Sequence, residues 1–315
     1  MARSSTTELQ DTIEDGQTTE EGGVTVKIDG KEFHLGYSRL ASYMECPHSY
    51  EFSYVKGIRT EGTPVMRRGT ALHNTFEDML KWKAGYETLM SMDRSKESVA
   101  KHCKELKICP SAAKEVYAAM EYFYEVLYPC LTPALLLDTA PSKETPIEGE
   151  FKIVRGGVEI TGRIDFAAEY KKGQIICTGV CAPHEGGVIH DWKFSNRPWD
   201  EDRITHSVQP MIYQWAGIDW FEPNFGIPYL GFQYDIFNVW PEVQIQTVYI
   251  PRLDPKASDW WEHQVEQFAK AIRSGIFPAN PSSSVCKWCN HKSRCKPTIY
   301  AVHIGFIKTS DGVDY

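Results

Sequence analysis

No apolar run in the 315 residues approaches the roughly 20 needed to cross a bilayer, which excludes a helical membrane protein. The first 23 residues, MARSSTTELQDTIEDGQTTEEGG, have no apolar core that could act as a secretory signal, so a cytoplasmic location is expected. There is no GxxxxGK[ST] phosphate loop, no internal repeat and no low-complexity tract after residue 23, which argues against a nucleotide-driven motor. Positive charge is not in excess either. Lys and Arg number 34 against 42 Asp and Glu, a formal net charge of −8, which at first sight disfavours a polyanionic partner. Residues 1–23, however, hold six acids and one base, so the remaining chain carries only −3 and can still present a local basic groove. That acidic stretch reads as a disordered tail, the globular body as a single domain over 24–297, and 298–315 as a C-terminal tail.

An even set of cysteines is also missing. There are nine, with Cys286, Cys289 and Cys295 crowded near the C-terminus and Cys46 alone near the start. This distribution suits a metal or cluster site in a reducing compartment better than a disulfide framework. Cys103, Cys109 and Cys130 fall in helical patterns and read as small buried hydrophobes. Cys177, Cys181 and His184 share one loop that offers a possible second metal site.

Periodicity outlines the body. Val24, Val26 and Ile28, then Asp29-Gly30, then Phe33 and Leu35 predict a small hairpin. Ser38 is a candidate N-cap for a helix that Pro47 interrupts just after Cys46. Leu72, Phe76, Met79 and Leu80 recur at helical spacing from Gly69 to about Ala84, which puts His73 and Glu77 one turn apart. Residues 94–130 read as further helices. Then the period changes to that of strands around 150–154, 158–166, 174–177 and 188–194, followed by a helix from about Ser207 to Trp220, strands near 229–237 and 243–250, and a helix from about Asp254 to Ser274. The order predicts an α/β domain with a mixed sheet flanked by helices and a helical N-terminal elaboration.

Two acids stand in otherwise apolar strands: Asp165 in Gly162-Arg-Ile-Asp165-Phe, and Asp191 in Ile189-His-Asp191-Trp-Lys193. Residues two apart on a strand share a face, so Asp191 and Lys193 project together. An isolated D-x-K is most simply an ion pair at a sheet edge. The ordered set carries more weight. RRGTALH ending at His73, GRIDF around Asp165, DWK from Asp191 to Lys193, and Gln209-Pro-Met-Ile-Tyr213 resemble, in succession, the motifs of the PD-(D/E)XK nuclease superfamily. Within it they resemble the RecB-like branch with its AddB-type and CRISPR-associated exonucleases, over roughly residues 36–297.

The resemblance implies a restriction-endonuclease-like core and a metal-dependent DNA nuclease, an exonuclease working on DNA ends or single strands in recombination, repair or phage DNA processing. The host would be a bacterial, archaeal or phage-infected cell, and the partner a recombination, helicase or CRISPR adaptation protein. It also implies that His73, Asp165, Asp191 and the backbone carbonyl of Trp192 hold Mg²⁺ or Mn²⁺, that Lys193 orients water or stabilises negative charge, and that Gln209 and Tyr213 position substrate. Hard oxygen ligands suit those ions, and a divalent ion supplies what phosphodiester hydrolysis needs. Pro210 after Gln209 places that residue near the helix start. Glu150 matches an acid on the family's first core strand, and Glu77 reads as a second partner for His73 or, more simply, an ion-paired helix acid. Arg67 and Arg68 are candidate phosphate contacts. Of the tryptophans at 192, 199, 215, 220, 240, 260 and 261, most should be core, and a few could stack on unpaired bases.

Cys286-x2-Cys289-x5-Cys295 with Cys46, 240 residues upstream, resembles the quartet of the iron–sulfur members, where it binds a [4Fe-4S] cluster. A structural Zn²⁺ held by four thiolates is the competing reading from spacing alone. Two rivals to catalysis stand beside these: a catalytically silent DNA-binding or assembly subunit that keeps the nuclease fold, and a zinc-stapled protein-interaction domain.

Overall fold

Residues 186–195 and 229–238 are almost wholly buried along their length, the signature of strands covered on both faces. In a computed structural model, which describes residues 26–28, 31–60, 62–141, 145–177, 179–239 and 242–295, they form the centre of a four-stranded mixed sheet. The elements run β1 (Val26–Ile28), β2 (Lys31–Phe33), α1 (Tyr37–Glu45), α2 (Pro47–Tyr50) continued by a π-helical turn Glu51–Val55, α3 (Pro64–Tyr86), α4 (Met92–Glu105) and α5 (Pro110–Val126). Then come β3 (Glu150–Arg155), β4 (Val158–Arg163), β5 (Phe166–Tyr170), β6 (Ile175–Cys177), β7 (Val180–Cys181) and β8 (Gly186–Ser195). The last part holds α6 (Glu201–Thr205), α7 (Gln209–Ala216), a π-helical turn Gly217–Phe221, α8 (Glu222–Phe225), β9 (Tyr229–Asn238), β10 (Gln244–Pro251), α9 (Pro255–Arg273) and α10 (Ser283–Trp288). The mixed α/β architecture is the expected one. Val24, Asp29, Gly30, Trp240, the acidic tail and the 298–315 segment lie outside the described residues.

Strand order is β10-β9-β8-β5. The β8 and β9 strands pair in parallel, from Gly187↔Tyr229 to Ser195↔Asn238, and the other two pairings are antiparallel. A parallel pair needs a crossover, and α6 to α8 supply it. Alternation along β8 divides the core in two. Val188, Trp192 and Phe194 pack with Leu72, Phe76 and Leu80 of α3, Val99 of α4 and Phe123 of α5. Ile189 lies in the opposite cluster, with Ile212 and Trp215 of α7, Val265 and Ala269 of α9 and Leu40 of α1. Asp191 and Lys193 share the Ile189 side by the same alternation. Every residue of α7 is buried, which is why it reads as apolar all round apart from its glutamines and Tyr213.

The run 158–166, expected as one strand, is broken. The β3–β4 hairpin pairs from Glu150↔Arg163 to Arg155↔Val158, while β5 pairs with β8, and Ile164 and Asp165 fall in the bend between. The Ile164 and Ala167 N–H groups are taken by the carbonyls of Gly149 and Pro146, and the Asp165 carbonyl accepts from the Glu148 N–H at 3.1 Å, so the bend is tied to residues 146–149. Gly162, just before it, has no room for a side chain: a Cβ there would lie 2.4 Å from the Phe151 ring, which in turn meets Tyr213 edge-on at 6.0 Å. The expected Ser38 cap is replaced. Helix α1 starts at Tyr37 from Gly36, where a Cβ would stand 2.8 Å from the Thr161 carbonyl oxygen, so close packing on β4 selects glycine over a capping side chain.

Candidate active site

Four elements deliver side chains to one place: α3 brings His73, the bend before β5 brings Asp165, the C-terminal half of β8 brings Asp191 and Lys193, and α7 brings Gln209 and, one turn on, Tyr213. Strand β5 begins at Phe166, opposite His190, so the Trp192 N–H has no strand partner on that side. It donates instead to Asp165 Oδ2 at 2.7 Å. The same carboxylate oxygen lies 3.3 Å from His73 Nδ1. Burial works against the charge on Asp165, but the His73 imidazole, Lys193 and the Trp192 N–H together hold its carboxyl below the usual range. Burial also works against a charged His73, yet Asp165 outweighs it and pushes the imidazole up to about 9.

Asp191 is 1% exposed. One of its oxygens pairs with the Lys193 ammonium, and the other accepts from Gln209 Nε2. Burial first, and then the nearby Asp165 charge, lift its carboxyl to about 6 despite Lys193. The Tyr213 hydroxyl accepts from Gln209 Nε2 at 3.3 Å and donates to the Arg163 carbonyl at 2.9 Å, which ties α7 to the strand before the bend. Gln209 is the first residue of α7 and Pro210 the second, where a proline costs no hydrogen bond, so the position suspected from sequence is the one seen.

The residue not singled out from sequence is Glu148. His73, Glu148 and Asp165 each offer a ligand atom, all within 4.8 Å of one another, the one such group among the described residues. Asp191 is adjacent but outside that tight set, its carboxylate engaged by Lys193 and Gln209. Glu150, named in its place as the first-strand acid, points outward on β3 and pairs with Arg163 at 3.1 Å. The alternation of β3, with Phe151 and Ile153 inward, already required this. Glu148 sits before the strand at φ 52°, a left-handed conformation that turns its side chain inward. Burial, and then the Asp165 charge, push its carboxyl up to about 7. A buried carboxylate, a half-buried one that Arg163 reaches only at 3.4 Å, and an imidazole nitrogen form a donor set whose two carboxylates repel, and a divalent cation would relieve that repulsion, so the residues fit Mg²⁺ or Mn²⁺.

The pH dependence follows. The raised Glu148 and His73 pKa values favour the metal-free fold below about 4.5 and 6.5, their ordinary values, and that contribution is lost as pH rises through about 7 and about 9. A bound cation requires both groups deprotonated. Mn²⁺ should therefore raise the melting temperature more at pH 8.5 than at pH 6, and Glu148→Gln should flatten that difference, both readable by thermal melts with and without metal. An equal Mn²⁺ shift at both pH values would remove His73 and Glu148 from the metal site.

Of the other candidates, Glu77 is an ordinary i,i+4 partner of Lys81. Arg68 is committed to Glu115 at 2.5 Å and lies over Phe194, so it is not a free phosphate contact, whereas Arg67 is half-buried. Among the lone cysteines only Cys103 is a buried hydrophobe; Cys109 and Cys130 are exposed, because they stand just outside the ends of α5. Cys177 and Cys181 lie on β6 and β7, and His184 turns back to the Glu185 carbonyl, so no metal group forms there among the described residues.

Cys46, Cys286, Cys289 and Cys295 line one cavity together with His48, Phe52 and His291. Three of the four are buried. Contacts between the chain ends surround them: Tyr43 OH donates to the Ile276 carbonyl at 2.7 Å, Asn280 Nδ2 to the Glu45 carbonyl at 3.0 Å, and Ser53 Oγ lies 2.8 Å from His291 Nε2. Burial, with Cys46 and Cys295 adding to it, raises the Cys289 thiol pKa, and His291 Nδ1 is buried without a hydrogen-bond partner. Crowded thiols beside an orphaned imidazole nitrogen fit a bound thiolate-ligated group.

The family model for the PD-(D/E)XK nuclease superfamily matches residues 34–296. The chain belongs to this superfamily. The crystal structure of a protein from Eubacterium rectale, described as a putative exonuclease, superposes with a TM-score of 0.51 at 12% identity, over 89% of this chain and 94% of that one. The two share a fold. A second solved structure, SSO0001, aligns over 76% of this chain and 90% of its own at 15% identity with a TM-score of 0.31. No curated protein matches the chain. Superfamily nucleases typically use Mg²⁺ or Mn²⁺, and the acidic group around Asp165 is the place in this member where such an ion fits. No helix among the described residues is long and apolar enough to cross a membrane.

Proposed function

We propose that the protein is a metal-dependent deoxyribonuclease that degrades DNA from ends or single strands, of the RecB-like iron–sulfur type. The observation that carries this reading is the convergence of His73, Glu148 and Asp165 beside the Asp191–Lys193 pair at the open end of β8. His73, Glu148 and Asp165 would hold the ion, with Asp191 and the Trp192 carbonyl as the neighbouring oxygen ligands. When bound, a divalent cation supplies a water acidic enough to ionise near neutral pH and neutralises charge on the phosphoryl group. Lys193 presents an ammonium whose pKa is held up by Asp191 and Asp165 against burial, so it stays charged and can stabilise the developing negative oxygen. Gln209 and Tyr213 fix Asp191 and the preceding strand, and thereby the angle between the two acids. A scaffold subunit would have no use for such a costly buried charge cluster.

The gathering of Cys46, Cys286, Cys289 and Cys295 around one cavity supports a thiolate-bound group, and the order of the four cysteines along the chain, one before the nuclease motifs and three after them, favours a [4Fe-4S] cluster over zinc. The DNA substrate is tested with purified protein, linear and circular duplexes and a single strand, with Mn²⁺, Mg²⁺ or EDTA. Metal-dependent loss of free-ended substrate, with the covalently closed circle spared, is expected. No hydrolysis of any DNA with either metal would defeat the reading.

A further inference from the structure

After β8 the chain passes through Arg197 and Trp199 into α6. Trp199 is 9% exposed and clamped at its backbone: its N–H donates to Gln246 Oε1 at 2.8 Å, and its carbonyl accepts from Gln246 Nε2 at 2.9 Å. Its indole meets the Tyr234 ring edge-on at 5.2 Å. Lys193 Nζ lies 5.8 Å from the centroid of that same Tyr234 ring, and the Tyr234 hydroxyl donates to Gln209 Oε1 at 3.3 Å. On the other side of Trp199 lies Arg203, its guanidinium carbon 3.9 Å from the ring centroid. A continuous file of cation, ring, ring and cation thus leads from Lys193 to the surface.

Arg68, Arg155, Arg163 and Arg252 each have a carboxylate partner. Arg203 and Arg197 form no ion pair among the described residues, although both are exposed. They also lie close enough to repel: the Arg203 pKa is lowered, by partial burial first, and Arg197 pushes the same way. Asp200 offsets part of the Arg203 charge but forms no ion pair with it, so the two neighbouring guanidinium groups still present N–H donors complementary to a polyanion. A guanidinium laid flat on an indole is also pre-oriented, with its planar fork of N–H donors free for a phosphate.

We propose that Arg203, held on the Trp199 face with Arg197 beside it, binds a backbone phosphate of the DNA strand next to the phosphate that reaches Lys193. This rests on the nuclease reading above. The test measures binding of a labelled single-stranded DNA oligonucleotide by fluorescence anisotropy across a salt series, in an Asp191→Asn background that prevents cleavage. Each phosphate contact on a single strand contributes a slope of about 0.7 in the plot of log affinity against log salt. Arg203→Ala should weaken binding several-fold and lower the slope by about 0.7, and the double variant with Arg197→Ala by about 1.4. Trp199→Leu should weaken binding while keeping the slope, because the charge remains without its platform. Arg252→Ala, which removes a paired arginine, should leave both unchanged. In otherwise unaltered protein, Arg203→Ala should raise KM with kcat nearly constant, at a melting temperature close to that of the parent. If the parent binds and cleaves DNA while Arg203→Ala keeps its affinity and salt slope, the proposal is overturned and the nuclease reading stands. If the parent neither binds nor cleaves DNA, both fall together.

Discussion

Asp191→Asn should lower DNA hydrolysis by about a thousandfold or more while leaving the fold intact, a loss of about 4 kcal/mol in transition-state stabilisation. The substitution keeps the shape of the side chain, and an amide oxygen can still accept from Gln209 Nε2. It removes the negative charge beside Lys193, and with it one oxygen ligand for a cation. The structural cost is small because an uncharged amide is easier to bury than a carboxylate already lifted to about 6, and because Lys193, with 22% of its side chain exposed, keeps solvent and the nearby Asp165 charge. Lys193→Met should be equally inactive but less stable. Asp191 would be left 1% exposed with its counter-charge gone, and breaking a buried pair costs about 3–5 kcal/mol unless the carboxyl takes up a proton. Neutralisation in this variant should therefore show as stability that falls with rising pH, since the remaining carboxyl would have its pKa raised further. Steady-state cleavage and a denaturation midpoint separate the two variants. Full activity in Asp191→Asn would show that hydrolysis is carried elsewhere.

What sequence could and could not reveal follows from how each residue is placed. Asp191 and Lys193 were legible because a strand has a period of two and needs no tertiary information. His73 was legible as a member of an ordered set, on a helix whose apolar spacing is regular. The break between β4 and β5 was not, since Ile164 and Asp165 continue the apolar alternation and the turn is made by carbonyls of residues 146–149 reaching across. Glu148 was missed for the same reason: it lies outside any periodic segment, at a backbone conformation that no propensity favours for glutamate. The inward Phe151 and Ile153 did hold the clue that Glu150 faces solvent. Arg68 looked free only because its partner, Glu115, is 47 residues away on another helix. Trp199 could be named as an aromatic but not as a platform, because the Gln246 clamp and the Arg203 stack depend on strand β10 and helix α6 meeting in space.

The second large effect belongs to the thiol cavity. If the cavity holds the proposed cluster, Cys46→Ser should abolish iron binding and remove a large part of the stability. A group ligated by Cys46 and by Cys286, Cys289 and Cys295 closes a loop of some 240 residues, and the chain-entropy estimate for a cross-link of that length is about 5 kcal/mol. In a chain of 315 residues that corresponds to a fall of roughly 8 °C in melting temperature. The hydrogen bonds from Tyr43 to Ile276 and from Asn280 to Glu45 would remain, so the ends should loosen rather than separate, and loss should concentrate in α1, α2 and α10. Hydrogen exchange would locate it there. Cys130→Ser is the control, because Cys130 is exposed and lies outside the cavity. Anaerobic protein should be brown with about four irons per chain. Colourless protein carrying one zinc, with the same instability in Cys46→Ser, would keep the closure and change the metal. A Cys46→Ser protein that melts within about 2 °C of the parent would remove the closure itself, since even the bare substitution of a buried thiol by a hydroxyl costs of order 1 kcal/mol.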